Sequence, residues 1–207
     1  INNNTLQSIK KKVGNFPKCQ LMIVTKNRSK EDIQQLLKQG FFLFGENRVQ
    51  EAKFKFQEIE TNYELHLIGP LQSNKVKIAL KLFDTIQTLD STKLVDLIDK
   101  EFKKNEVLRT KDFYLQVNIG EEQQKSGVNE HNVNELFEYA KNKKLNVKGL
   151  MCIPPLDKEP SFFFEKMQTI RDQIDKNLNL SMGMSNDYEI ALKCSTNMIR
   201  IGSKIFL

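Results

Sequence analysis

LMIVTKNRSKEDIQQLLKQGFFLFGEN, residues 21–47, contains one full cycle of the pattern on which the whole chain is built. The apolar run Leu21 to Val24, carried on to Lys26, reads as a short strand. Ser29 with Asp32 reads as a capping box, in which side chain and backbone satisfy each other at a helix start. Ile33, Leu36 and Leu37 then fall on one helical face, and Gly40 follows as a stop signal. Phe41 to Gly45 opens a second strand.

The same alternation extends in both directions. Further candidate strands are Leu65 to Gly69, Thr85 to Leu89, Phe113 to Ile119, Val147 to Ile153, Leu180 to Ser185 and Met198 to Ile201, eight in all. Between them lie helical faces at Leu94, Leu97, Ile98 and Phe102, at Val133, Leu136, Phe137 and Ala140, and at Phe163, Met167, Ile170 and Ile174. Asp90-Ser91 opens a helix, and Pro154-Pro155 with Pro160 fences off the loop after the sixth strand. No linker or short repeat interrupts the series, so residues 1–207 read as one domain. Eight strands alternating with helices predict an α/β fold, a single (β/α)₈ barrel of the TIM type, with a doubly wound open sheet as the alternative. The sequence ends soon after the last strand, without an eighth helix there. An additional N-terminal helix, with Leu6, Ile9 and Val13 in register, is expected to cover the gap between the eighth and first strands. That lets the fold close below the typical barrel length of about 250 residues.

Composition narrows the function classes. A hydrophobic content of 39% with 28% charged residues is that of a water-soluble globular chain. Its apolar runs are too short to cross a bilayer, so no membrane partner is expected. No secretory segment is visible, although the chain opens at Ile1 and a removed targeting segment would not show. Cys19, Cys152 and Cys194 are odd in number and isolated, which favours a reducing, cytoplasmic location over a disulfide framework. With only His66 and His131, and no pair at ligand spacing, no metal site is indicated. The net charge of +6 raises nucleic acid as a partner, but the basic residues comprise 27 Lys and only 5 Arg, spread rather than clustered. With 19 Asn, coding bias accounts for both excesses, and a solvated lysine surface is the preferred reading.

Chemistry concentrates where strands end. In a parallel barrel those ends face one mouth, so residues far apart in sequence converge there. Lys26 ends the first strand: one lysine among 27 is ordinarily a surface residue, but one at the mouth and partly desolvated would be a nucleophilic amine. Ser185 and the segment Arg200-Ile201-Gly202-Ser203 follow strands seven and eight, where barrels frequently build phosphate sites. Gly202 lets backbone approach an anion, and Ser203 can begin a short helical turn through Phe206 whose amides face it. The bland alternatives are that Ser185 caps the helix of Asp187 to Leu192 and that Gly202 is a turn glycine. Arg200, alone in the apolar run Met198 to Ile205, must face the mouth or a partner, because an unpaired buried charge is costly. Glu46 and Glu51 read as readily as helix-start charges as they do as contacts at the mouth.

Five segments, VTK (24–26), FGENRVQE (44–51), HLIGPLQSNK (66–75), SMGMSNDYE (181–189) and MIRIGSKIF (198–206), together resemble the pyridoxal phosphate homeostasis protein family. These are single-domain relatives of the alanine racemase barrel, and the resemblance covers nearly the whole chain. It implies pyridoxal 5′-phosphate as cofactor, held as an aldimine on Lys26, with Asn47, Ser185, Arg200, Gly202 and Ser203 as further contacts. It places Asn47 against the ring oxygen and Arg200 against the pyridine nitrogen. Ile68 and Gly69 become a pocket wall; on their own chemistry Ser73 to Lys75 start a helix, and Lys125 is a solvated loop lysine in preference to a second amine near the mouth. Departures are Thr25 where Ser is common, Pro70 where His or Asn is frequent, and Cys194 where Gly is usual. The implied role is a carrier or regulator in intracellular cofactor homeostasis, with pyridoxal phosphate-dependent apoenzymes as recipients, a monomer, and no significant catalytic activity. The racemase second domain with its catalytic tyrosine has no counterpart in this sequence. A low-efficiency amino-acid racemase, a barrel isomerase for a phosphorylated sugar and a nucleic-acid binder are the alternatives.

Overall fold

The computed structural model describes residues 1–104 and 107–206. Eight parallel strands close into a barrel, each paired with its neighbours in sequence order and the last with the first. They are β1 (Gln20–Val24), β2 (Leu43–Glu46), β3 (Glu64–Leu67), β4 (Thr85–Leu89), β5 (Asp112–Val117), β6 (Val147–Cys152), β7 (Asn179–Ser181) and β8 (Met198–Ile201). Closure runs from Gln20 opposite Met198 to Ile23 opposite Ile201. The open-sheet alternative is thereby set aside.

The helices are α1 (Asn3–Gly14), α2 (Lys30–Lys38), α3 (Val49–Phe56), α4 (Val76–Leu82), α5 (Thr92–Phe102), α6 (Val133–Asn142), α7 (Pro160–Ile174) and α8 (Tyr188–Lys193). Helix α1 takes the expected place between β8 and β1: it buries Leu6, Ile9 and Val13, and the Asn2 amide donates to Ile205 O at 2.7 Å. The capping box at Ser29 and Asp32 is formed in both directions. Gly40, just past α2, has φ +80°, a conformation that only glycine adopts freely. Pro160 is the first residue of α7, where its missing N–H costs nothing.

Six of the eight strands differ at one or both ends from the sequence reading, β4 and β8 alone keeping both bounds, and two of these differences have identifiable reasons. The second strand runs to Glu46, one residue past Gly45, because its ladder with β3 continues to Leu67. The seventh stops at Ser181 rather than Ser185. Gly183 has φ +96°, and a Cβ there would lie 2.5 Å from the Ala191 Cβ, so the chain leaves the extended ladder to pass under α8.

The barrel interior is partly polar. Gln87 on β4 accepts from the Ser181 hydroxyl on β7 at 2.7 Å; these strands are not neighbours, so this bond crosses the interior. Among the described residues no helix is long and apolar enough to cross a membrane, and no group of three or more His, Cys, Asp or Glu is placed to hold a metal ion.

Candidate functional site

The site is built at the C-terminal strand ends. Strand β1 stops at Val24, and the Thr25 amide still donates to Gly45 O at 3.0 Å. Arg28 N then bonds back to Thr25 O at 3.1 Å, and Asn27 takes φ +57°, a left-handed conformation that asparagine tolerates. The resulting tight turn carries Lys26 at its apex. Side chains alternate across a strand, so Val24 and Lys26 border the barrel mouth while Thr25 points the other way, towards Glu46 and α3. Lys26 is exposed, so the protein alone does not supply the desolvation expected from its strand-end position.

Asn47 directly follows β2. Its backbone lies against Gly69, where a Cβ would fall 2.1 Å from Asn47 O; only glycine allows β2 and β3 to end this close together. Ile68 beside it forms part of the wall, and Ser73–Lys75 is a 3₁₀ turn leading into α4, as the sequence indicated.

Arg200 on β8 is buried, with no carboxylate salt bridge among the described residues. One terminal nitrogen donates to Ser181 O at 2.7 Å and Ser181 Oγ at 2.9 Å, and the other donates to Cys152 O at 2.8 Å. Carbonyl dipoles thus replace a counterion. Burial draws the guanidinium pKa below its ordinary value, while Cys152 and Asp187 act in the opposite sense. The same burial pushes the Cys152 thiol up to about 12, so it is an inert neighbour rather than a nucleophile.

After Gly202 the chain makes the short turn Ser203–Ile205 foreseen from the sequence. Gly202 has a packing role beside the anion approach expected from the sequence. Its φ is −133°, and an added Cβ would press on Val24 Cβ and Val24 O at 3.1 Å, so it lets β8 pack against β1. Ser185 does not cap α8: Asp187 occupies that position and accepts from Met184 N at 2.6 Å. The Ser185 hydroxyl faces the final turn instead, accepting from Lys204 N at 3.4 Å.

Lys26, Asn47, Ser185, Arg200, Gly202 and Ser203 all line one cavity of about 370 Å³, within the ordinary range for small-ligand sites. Its titratable lining is three basic groups, Lys26, Arg28 and Arg200, against the single acid Asp187. Ile68, Ile153 and Met184 supply apolar wall. One free amine, two hydroxyls beside a backbone turn, an amide and excess positive charge fit a small anion carrying a flat apolar ring and an electrophilic carbon. Lys125 lies elsewhere, paired with Glu122 in a polar hollow beside the loop after β5.

The sequence reading missed two features. Arg28 stacks over the Phe206 ring at 4.7 Å and closes one side of the cavity; its place two residues after Lys26 was the available signal. Glu46 is not a helix-start charge. It ends β2, fully buried, and its Oε1 accepts from Thr25 Oγ1 at 2.6 Å and pairs with Lys55 Nζ at 2.5 Å. Burial raises the Glu46 pKa, and its bonds to Lys55 and Thr25 offset that only in part. Glu51 does lie in the first turn of α3, but it also accepts from Asn27 N at 2.5 Å.

No family model matches the chain. It is 35% identical over 212 residues to the pyridoxal phosphate homeostasis protein of Aquifex aeolicus, covering 97% of this chain and 92% of the relative. Among solved structures it superposes on PipY of Synechococcus elongatus with pyridoxal phosphate bound, with a TM-score of 0.84, 29% identity and 99% of each chain covered. An alanine racemase of Clostridium difficile shares the fold, with a TM-score of 0.76 at 15% identity, matching all of this chain and 57% of that one.

Proposed function

The chain belongs to the pyridoxal phosphate homeostasis protein family, and from that premise we propose that it binds pyridoxal 5′-phosphate at the barrel mouth and serves intracellular homeostasis of that cofactor. The observation that carries this reading is the convergence of six residues, from the ends of four strands, on one cationic cavity of about 370 Å³.

Bound pyridoxal phosphate supplies an aldehyde carbon that an amine can attack. Lys26, at the apex of its turn, is the amine we assign to covalent attachment. The hydroxyls of Ser185 and Ser203, with the backbone after Gly202, are assigned to the phosphate, since they lie at the turn following β8. Asn47 is assigned to the ring oxygen and Arg200 to the ring nitrogen. Arg200 is already oriented by three bonds to Ser181 and Cys152, so little ordering is needed when it meets a ligand. A monomer is the working unit we assign. Three free cysteines support a reducing, cytoplasmic setting. Pyridoxal phosphate-dependent apoenzymes are the recipients we assign.

The test is an absorption spectrum of the purified, cofactor-loaded protein before and after borohydride, followed by peptide mapping. The expected result is one reduced adduct, on Lys26, absent from Lys26→Ala. An unchanged visible spectrum in well-folded Lys26→Ala overturns the assignment.

A further inference from the structure

Lys55 is one of 27 lysines and lies outside the cavity, yet it is buried to 3% exposure. An ammonium group has three N–H donors. Lys55 directs them at three oxygens: Thr25 O at 2.6 Å, Glu46 Oε1 at 2.5 Å and Glu51 Oε1 at 2.8 Å. Two of these bonds bear directly on the Lys26 turn. Thr25 O belongs to the residue before Lys26. Glu51 Oε1, held by Lys55, accepts from the amide of Asn27, the residue after it. Thr25 is fixed a second time, since its hydroxyl donates to the same Glu46 oxygen that Lys55 pairs with.

We propose that Lys55, with Glu46 and Glu51, is a positioning residue that clamps the backbone on both sides of Lys26 and so sets where its amine stands in the cavity. This deepens the assignment of Lys26 made above and rests on it. The physical case comes from what such a cluster costs and what it provides. Burying an ammonium with one fully and one partly buried carboxylate stabilises a fold little, because desolvation offsets the attraction; apolar residues of similar volume serve packing as well. The Glu46 carboxylate even leaves Oε2 buried and without a partner. What charged groups add is direction, through short bonds aimed at one carbonyl and one amide. Without them the turn depends on two backbone bonds, Thr25 N to Gly45 O and Arg28 N to Thr25 O, and on a left-handed asparagine.

The test compares Lys55→Met/Glu46→Gln, which removes charge from both buried partners, with Lys55→Arg, Glu51→Ala and Lys26→Ala. In cofactor-free protein, hydrogen exchange of the Asn27 amide is followed by NMR. Separately, pyridoxal phosphate is added and the borohydride-trapped adduct is timed. The expected result is that the double variant and Glu51→Ala speed Asn27 exchange and slow adduct formation by roughly tenfold, given the steep dependence of such reactions on position. Thermal midpoints and Lys55→Arg serve as controls, the arginine restoring most of the rate because it still donates to Thr25 O and Glu51. If the double variant does not fold, Glu51→Ala carries the test alone, because Glu51 is partly exposed and its removal leaves the Lys55–Glu46 pair in place. Unchanged exchange and unchanged adduct rate in folded Glu51→Ala overturn the clamp. An adduct that persists in Lys26→Ala overturns the assignment of Lys26 instead, so the two failures are distinct.

Discussion

Arg200 commits both hydrogens of one terminal nitrogen to Ser181, reaching its carbonyl at 2.7 Å and its hydroxyl at 2.9 Å. The hydroxyl, occupied as an acceptor, donates onward to Gln87 Oε1 at 2.7 Å. Gln87 Nε2 lies 2.8 Å from His66 Nδ1, and His66 Nε2 lies 2.7 Å from Glu64 Oε1. With Gln87 donating to Nδ1, the imidazole carries its proton on Nε2 and donates to Glu64. Every link then runs in one direction, from the guanidinium at the mouth to a carboxylate at the opposite end of the barrel. Such a chain orients Arg200 from below while leaving the cavity side free.

Replacing Ser181 with alanine interrupts this chain at its centre. Gln87 Oε1 and one Arg200 N–H lose their partner in a buried site, a loss worth about 1–3 kcal/mol. The urea midpoint is expected to fall without a change in the dependence on urea concentration. An unchanged midpoint would mean that water or a rotated Gln87 satisfies both groups.

The phosphate assignment predicts a difference between two ligands. Ser185→Ala/Ser203→Ala should weaken pyridoxal phosphate far more than unphosphorylated pyridoxal, with each lost bond to a charged group worth roughly 1.5–3 kcal/mol. Titration of both ligands checks it. Equal losses for the two ligands remove both serines from the phosphate site.

The residues legible in the sequence were those fixed by local pattern. Strand ends follow from short apolar runs and their punctuation, and in a parallel barrel a strand end is also a position at the mouth. That is why these strand ends could be placed at one mouth from the sequence, while the choice of Lys26, Asn47, Ser185, Arg200, Gly202 and Ser203 among their residues rested largely on the family resemblance. What stayed hidden depends on pairing across the fold. Lys55 looks like every other helix lysine until β2 brings Glu46 beside it. Ser181, Gln87 and His66 span 115 positions with no shared motif, and only the closed barrel aligns them. Glu46 was misplaced because the strand was ended at Gly45, and one residue of register turns a solvated helix-start charge into a buried one.

Acid stability carries a further signature of the clamp. Burial pushes the Glu51 carboxyl up, but the Lys55 ammonium and the Asn27 amide outweigh it and hold its pKa below the usual carboxylate value. A depressed folded-state pKa contributes stability above the unfolded value, about 4.3, that is lost as pH falls through the folded one. Glu51→Gln should therefore be less stable than the native protein near pH 6. The gap should close as pH drops below that unfolded value. Denaturant melts at several pH values check the trend; a gap independent of pH would attribute the loss to packing.

The last prediction concerns what Arg200 prevents. Arginine keeps its proton under all ordinary conditions, and here two carbonyls and a hydroxyl hold the charged form in place. A guanidinium facing the ring nitrogen donates to it, so the nitrogen cannot also carry a proton. The ring then withdraws electrons weakly, and negative charge developing at an amino acid's α-carbon is poorly delocalised. Cofactor sites place either a carboxylate or an arginine against this nitrogen, and the carboxylate is the one that favours its protonation. The native protein should thus bind its cofactor fully yet exchange the α-proton of L-alanine slowly or not at all. The measurement is NMR of L-alanine in deuterated water with cofactor-saturated protein. Arg200→Glu permits ring protonation but leaves a carboxylate where Ser181 and Cys152 present acceptors, so it should weaken cofactor binding even if exchange per bound cofactor rises. Rapid exchange by the native protein, near the median enzyme turnover of about 10 s⁻¹, would replace the carrier reading with that of a racemase.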